Sequence, residues 1–136
     1  MEREAEIDIT SYFHYIRIMK ISTASERLAA LGHETRLAIF RLLVQAGMEG
    51  ISAGVICEKL AIPAPTLSFH LAHLSRVGLI RGQQESRFIF YAADYAAMDE
   101  LLAYLTDNCC QGAQCLPATT VRVAKQKKRA GALSSR

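Results

Sequence analysis

The chain has 136 residues, of which 51% are hydrophobic and 21% are charged, and its formal net charge is +3. This composition excludes wholesale disorder and predicts one ordinary soluble domain with a single core. No apolar run approaches the ~20 residues of a membrane helix, and the first eight residues are acidic where a secretory signal is basic, so we expect a cytoplasmic protein with reduced cysteines and no membrane partner.

Three helices are predicted in the first third of the chain. Apolar residues recur at helical spacing over residues 8–20. Two more helices, over Ala24–Leu31 and Glu34–Ala46, each end at a glycine, Gly32 and Gly47. The positions that the second of these is expected to bury are Leu37, Phe40, Leu43 and Val44.

The next two helices are separated by a proline-rich turn. Ser52 is expected to cap a third helix that ends near Leu60, and Ile62-Pro63-Ala64-Pro65 forms the turn. A fourth helix follows over Ala64–Val77 and ends at Gly78. Its apolar face consists of Leu67, Leu71 and Leu74, and its opposite face of Pro65, Thr66, Ser68, Phe69, His73 and Arg76.

A change of period follows the fourth helix. Residues 79–92 are typical of a β-hairpin with a polar turn at Glu85-Ser86. Asp94 then caps a last helix that ends near Asn108. The apolar stripe of this last helix is Met98, Leu101, Leu102 and Leu105.

Two short helices joined by a tight turn, with a hairpin directly after the second, indicate a winged helix-turn-helix. The expected fold class is therefore mainly α with a β-hairpin wing (α+β). In such a fold the second helix of the pair is narrow enough to enter the major groove of DNA.

Residues 28–110 resemble the ArsR/SmtB family of bacterial metal-responsive repressors. The motifs that carry the resemblance are Ala30-Leu31-Gly32-His33-Glu34-Thr35-Arg36-Leu37, Leu67-Ser68-Phe69-His70-Leu71, Val77-Gly78-Leu79-Ile80 and Tyr104-Leu105-Thr106-Asp107-Asn108-Cys109-Cys110. The resemblance implies a symmetric homodimer, assembled through the first and last helices, that binds an inverted repeat in double-stranded operator DNA. The sequence departs from the family at Pro63, where a hydroxyl cap is common, and at Ser86, where a wing glycine is common; the serine predicts a wider wing turn.

The DNA-binding residues we expect lie on the fourth helix and the wing. They are Thr66, Ser68, Phe69, His70 and His73, with Arg87 on a phosphate. His70 lies beside the apolar face, so a structural histidine inside the protein is an equal alternative. Arg76 and Arg81 are either solvated or placed against phosphates.

Cys109, Cys110 and Cys115 fall within seven residues just after the last helix. Adjacent helical residues diverge by about 100°, so the sulfurs can converge only if the chain leaves the helix, which Gly112 allows. Three soft thiolates without a fourth donor favour As(III) or Sb(III) over zinc, and methylarsenite could use two of them. Family members with a comparable Cys-Cys and Cys arrangement are arsenite sensors. The alternatives are a redox or persulfide sensor and incidental thiols.

These predictions divide the chain into three parts. Residues 1–21 are an N-terminal extension or helix, residues 22–110 the winged helix-turn-helix DNA-binding and dimerisation domain, and residues 111–136 a metalloid-site loop and a flexible tail. Residues 116–136 hold six basic and no acidic residues, so the tail is either solvated or an accessory phosphate contact. We expect no enzyme, because no carboxylate is placed to orient a base near Ser68 and His70; a thiol-transfer enzyme at the cysteines and a protein-interaction module are the weaker alternatives. Cys57 is expected to be a core thiol.

Overall fold

A computed structural model describes residues 19–112. Most of the predicted helix over residues 8–20, the residue Cys115 and the basic tail lie outside the described residues. The chain divides into two compact units between Leu105 and Thr106. Among residues 19–112, no helix has both the length and the apolar character that crossing a bilayer would require.

Five helices and a three-stranded sheet make up the described part. The helices are α1 (Ile21–Leu31), α2 (Glu34–Ala46), α3 (Ala53–Leu60), α4 (Ala64–Arg76) and α5 (Tyr95–Thr106). The strands are β1 (Ile51–Ser52), β2 (Ile80–Glu85) and β3 (Phe88–Ala93). The helix–turn–helix of α3 and α4 is followed directly by the β2–β3 hairpin, which confirms the predicted winged helix-turn-helix.

Side chains cap two helices where the sequence predicts it. Ser52 Oγ accepts a hydrogen bond from Val55 N at 3.4 Å, and Asp94 Oδ1 accepts one from Ala97 N at 3.0 Å. Each satisfies a backbone donor that the first turn of a helix leaves without an intrahelical partner. The α1 helix begins at Ile21, three residues before the prediction, and its N-cap Lys20 makes no side-chain cap, so no local signal marks this start.

The strand β1 was not predicted from the sequence. It pairs with β3, antiparallel, with Ile51 opposite Tyr91, so the strand order is β1-β3-β2. A strand of two residues is too short to show an alternating pattern. The preceding Gly50 has φ +78°, and a Cβ there would lie 2.5 Å from the Tyr91 carbonyl oxygen, so only glycine lets the two backbones approach this closely.

The wing turn is tighter than predicted. Glu85 pairs with Phe88, which leaves Ser86 and Arg87 as a two-residue connection. The expectation of a wider turn was wrong because Ser86 itself adopts the left-handed conformation, with φ 58°. That conformation costs an L-residue about 1–2 kcal/mol, a cost that the antiparallel pairing of the two strands offsets.

The core lies between the inner face of α4, helices α2 and α3 and the base of the sheet. Its fully buried members include Ile39, Leu43, Ile56, Leu67, Leu74 and Leu79. Leu37, by contrast, is 42% exposed, so the prediction that it is buried was wrong. The buried face of α2 is centred on Ile39 and Leu43, and Leu37 lies about 160° around the helix from Ile39.

The apolar stripe of α5 is only partly buried. Leu101 is 5% exposed and Met98 packs against the core, whereas Leu102 and Leu105 are each 54% exposed. The helix ends at Thr106, two residues before the predicted end, and Asn108 has a left-handed φ of 55°.

Candidate DNA-binding surface and cysteine site

The position of α4 is fixed at both ends and along one face. Pro63 precedes the helix in extended conformation and Pro65 occupies its first turn, where a missing N–H costs no intrahelical bond. Leu67, Leu71 and Leu74 are at most 2% exposed, which confirms the predicted inner face. The helix is followed by Gly78 at φ +80°. One side of α4 is therefore held in the core and the other is available to a partner.

The outer face of α4 carries both polar and apolar side chains and no acidic residue. Thr66 and Ser68 are exposed, and Phe69 is 67% exposed. Residues 59–84 contain Lys59, Arg76 and Arg81 but no Asp or Glu, so this stretch of the chain contributes no negative charge to the face. Three of the five DNA-binding residues predicted on α4 are thus on the surface.

His70 lies on the buried side of α4. It is 6% exposed, its Nδ1 lies 3.5 Å from Arg36 Nη1, and its ring centroid is 4.8 Å from that of His33. Burial lowers the pKa of His70 below its ordinary value of 6.5, and the positive charges of His33, Arg36 and His73 lower it further. Of the two roles that the sequence left open, this burial favours the structural one.

His73 is half-buried beside the C-terminal half of α4. Its pKa is also lowered, chiefly by desolvation and then by the neighbouring charges of Arg36, Arg76 and His33. The DNA contact expected of His73 stays a prediction.

The wing presents a basic tip and two apolar side chains. Arg87 is exposed and lies in the turn itself, one residue further along the chain than the predicted turn at Glu85-Ser86. Phe88 and Ile89, which the sequence reading did not single out, are 61% and 44% exposed. Neighbouring residues of a strand point to opposite faces, so two large apolar residues in succession on a thin hairpin were a signal that one of them would be exposed. Arg81 at the base of the wing lies 3.9 Å from the Asp94 carboxylate.

The cysteine pair lies in a short turn after α5. Residues Cys109–Gly112 form this turn, in which Cys110 and Gln111 adopt left-handed φ angles of 54° and 57°. Gln111 N donates to Asn108 O at 2.9 Å. The turn places Cys109 Sγ 3.9 Å from Cys110 Sγ. The chain thus leaves the helix, as convergence of the sulfurs requires, and does so at Asn108 rather than at Gly112.

The cysteines differ in state. Cys109 is half-buried and free, and Cys110 is exposed and disulfide-bonded. Cys57 was expected to be a buried core thiol; it is free and packs against the core from α3, but it is only half-buried. Within residues 19–112, no three His, Cys, Asp or Glu side chains are grouped to hold a metal ion; the third predicted ligand, Cys115, lies outside this range.

The sequence is similar to known transcription regulators. The family model for a helix-turn-helix domain matches residues 31–83. The HTH-type transcriptional regulator YgaV of Escherichia coli is 32% identical over 87 residues, which are 64% of this chain and 86% of YgaV. The transcriptional activator HlyU of Vibrio cholerae is 30% identical over 87 residues, 64% of this chain and 78% of HlyU.

Solved structures show the same fold. HlyU from Vibrio cholerae N16961 superimposes with a TM-score of 0.51 at 33% identity, over 66% of this chain and 95% of that one. Reduced HlyU from the same source has a TM-score of 0.50 at 32% identity, over 63% and 90%. An ArsR-like transcriptional regulator from Rhodococcus sp. RHA1 has a TM-score of 0.57 at 23% identity, over 84% and 92%. With a helix-turn-helix, its wing and the relatives YgaV and HlyU in agreement, the chain belongs to the ArsR/SmtB family of transcription regulators and is not an enzyme.

Proposed function

We propose that this regulator is a cytoplasmic, arsenite-responsive repressor that binds operator DNA as a homodimer and is released when As(III) binds its C-terminal cysteines. The observation that carries the proposal is the 3.9 Å separation of the Cys109 and Cys110 sulfurs in a turn that directly follows the last helix.

The sulfur positions fit a thiophilic ion. Metal–sulfur bonds are about 2.3 Å for zinc, so two sulfurs on one ion of similar size lie at most about 4.6 Å apart. The observed separation of 3.9 Å is within that limit. Cys115, five residues beyond Cys110, would complete a three-sulfur set for As(III) or Sb(III). Methylarsenite would need only two sulfurs.

Apolar residues on α1 and α5 support dimerisation. Ile21 and Leu28, seven residues apart on one face of α1, are 76% and 42% exposed, and Leu105 on α5 is 54% exposed. Covering them with a second copy of the chain would remove apolar surface from water. A two-fold dimer would also present two α4 helices to half-sites about one DNA turn apart.

Release then requires that the ligand favours a dimer geometry that fits the operator poorly. A coupling free energy of about 2–3 kcal/mol would weaken operator binding roughly 30- to 150-fold. The cysteine turn is joined through the chain to α5, which carries part of the proposed dimer surface. Ligand binding at the turn therefore acts at the end of a dimerisation helix.

The disulfide at Cys110 favours a second candidate, release by oxidation. In that reaction two thiols lose two protons and two electrons to an oxidant such as hydrogen peroxide, which becomes two waters, and a disulfide forms. Arsenite binding needs the same thiols reduced. The two candidates therefore share a site and differ in the reagent that triggers release.

Fluorescence anisotropy with labelled promoter DNA separates these candidates. The protein is first reduced and freed of reductant, then titrated separately with arsenite, antimonite, zinc and peroxide. We expect arsenite to lower the operator affinity of the wild-type protein by at least about 30-fold. Cys109→Ser and Cys110→Ser should bind the operator normally but resist arsenite, and the matched control Cys57→Ser should respond as wild type does.

Three results would contradict the proposal. If arsenite still releases the operator from both Cys109→Ser and Cys110→Ser, these cysteines are not the arsenite site. Release by peroxide alone would establish the redox candidate. A monomer bound to the operator in sedimentation experiments would remove the dimer mechanism.

A further inference from the structure

Arg27 joins three parts of the domain through one side chain. From α1, its Nε donates to the carbonyl oxygen of Val77 at 3.0 Å. Its Nη1 lies 3.4 Å from both the carbonyl oxygen of Ala97 and Oε2 of Glu100. Val77 is the residue at which α4 ends, and Ala97 and Glu100 belong to α5. Arg27 therefore hydrogen-bonds the DNA-binding helix and the last helix at once.

The surroundings of Arg27 hold it in this position. The side chains of Arg27 and Glu100 are only 13% and 25% exposed, so their ion pair is shielded from water more than a surface pair. The backbone of Gly78 lies against the guanidinium: a Cβ there would come within 3.3 Å of Arg27 Nη2. The last carbonyls of a helix carry partial negative charge, which favours a cation at the end of α4.

The chemistry of the guanidinium suits a bridge. Arginine presents five N–H donors in one rigid plane, so it can hold acceptors on two elements in a fixed relative position. A lysine has the same charge but a single nitrogen. A lysine could bind the Val77 carbonyl oxygen or the Glu100 carboxylate, but it would not hold these two acceptors in the same relative position.

We propose that Arg27 is a positioning residue that transmits the state of the cysteine turn to α4. The chain connects α5 to the cysteine pair, which begins three residues after Thr106. A displacement of α5 moves Ala97 and Glu100, through them the Arg27 guanidinium, and with it the end of α4 at Val77. This inference rests on the proposed function, since it concerns how ligand binding at those cysteines weakens operator binding.

The test compares operator affinity with and without arsenite for Arg27→Lys, Arg27→Gln and Glu100→Ala. Asp99→Ala is the matched control, because Asp99 is the exposed neighbour of Glu100 on α5. Anisotropy gives the operator affinities, and calorimetry gives the arsenite affinity of the free and the operator-bound protein. A thermal melt of each variant checks folding; if Arg27→Gln unfolds, Arg27→Lys and Glu100→Ala decide the result.

We expect all variants to bind operator within about threefold of wild type when arsenite is absent. With arsenite, wild type and Asp99→Ala should lose about 30-fold or more in operator affinity, and the Arg27 and Glu100 variants less than about fivefold. By linkage, arsenite should then bind the free and the operator-bound variants almost equally. A purely structural arginine would change stability and leave this ratio at its wild-type value.

The double variant Arg27→Gln/Glu100→Ala should respond no less than Arg27→Gln alone, because the two residues act as one unit. Full arsenite release in folded Arg27→Lys and Glu100→Ala would overturn the inference and leave the proposed function standing. Wild-type protein that keeps its operator in arsenite would overturn the proposed function itself, and the inference with it.

Discussion

Replacing Phe69 with alanine should weaken operator binding and leave the fold intact. Phe69 is 67% exposed on the outer face of α4, so most of its surface is available to DNA. Complete burial of a phenylalanine side chain contributes about 1.5–3 kcal/mol, and two thirds of that is about 1–2 kcal/mol. The corresponding loss is roughly 5- to 30-fold in affinity for each half-site.

Leu74→Ala provides the opposite case on the same helix. Leu74 is fully buried, so its truncation leaves a cavity and should lower the free energy of unfolding by about 2–5 kcal/mol. For Phe69→Ala the change in unfolding free energy should stay within about 0.5 kcal/mol. Urea denaturation at one fixed protein concentration measures both, since the stability of a dimer depends on concentration.

Operator binding is measured by anisotropy against the promoter fragment and a scrambled duplex of the same length at one salt concentration. Phe69→Ala should lose affinity for the operator and not for the scrambled duplex, because contacts with phosphates are independent of sequence. An operator affinity within twofold of wild type, in a variant with native stability, would show that the outer face of α4 does not touch the bases.

Two further predictions concern stability. Because the folded-state pKa of His70 lies below the ordinary value of 6.5, the unfolded chain binds the proton more readily than the folded protein. The free energy of unfolding should therefore fall as the pH drops below 6.5, by at most about 1.4 kcal/mol per pH unit. Urea denaturation measures this pH dependence, and the substitution His70→Gln should make it weaker. Gly50→Ala should cost at least about 2 kcal/mol, since its Cβ would lie 2.5 Å from the Tyr91 carbonyl oxygen, whereas helical Gly54→Ala, with nothing within 4 Å of the new Cβ, should stabilise the domain by about 0.5–1 kcal/mol in thermal melts; equal effects of the two substitutions would refute the tight β1–β3 approach.

The parts of the fold that could be predicted are those set by local signals. Glycines marked the C-terminal ends of α2 and α4, capping side chains marked the starts of α3 and α5, and the spacing of Leu67, Leu71 and Leu74 gave the inner face of α4. The burial of His70 was also within reach, since it lies three residues after Leu67 and four before Leu74. Polarity alone placed it among the DNA-binding residues.

The features that could not be predicted depend on residues far apart in the sequence. The two residues of β1 form a strand only because β3 lies beside them. The bridge of Arg27 joins positions 50 to 73 residues away, and no spacing rule connects them. Leu37 looked like a core residue on an apolar helix, but it lies on nearly the opposite side of α2 from Ile39, on which the buried face is centred.

The cysteine site shows the same division. Soft-ligand chemistry and spacing could nominate Cys109, Cys110 and Cys115 from the sequence. They could not give the point at which the helix breaks, because Asn108, Cys110 and Gln111 all take up left-handed backbone angles that non-glycine residues rarely adopt.

Ser52 ends β1 and also caps α3, so one residue belongs to both the sheet and the helix that precedes α4. This junction does not tolerate an insertion. An extra residue between Ser52 and Ala53 would disrupt either the strand pairing of Ser52 with Phe90 or the hydrogen bond that Ser52 accepts from Val55 N. We therefore expect related chains to differ in the length of the loop around Met48, which is 79% exposed. The number of residues between β1 and α3 should stay constant among them. The amino-acid sequences of the wing and of the helix-turn-helix could then differ among related chains while the position of the wing relative to the two helices stays the same.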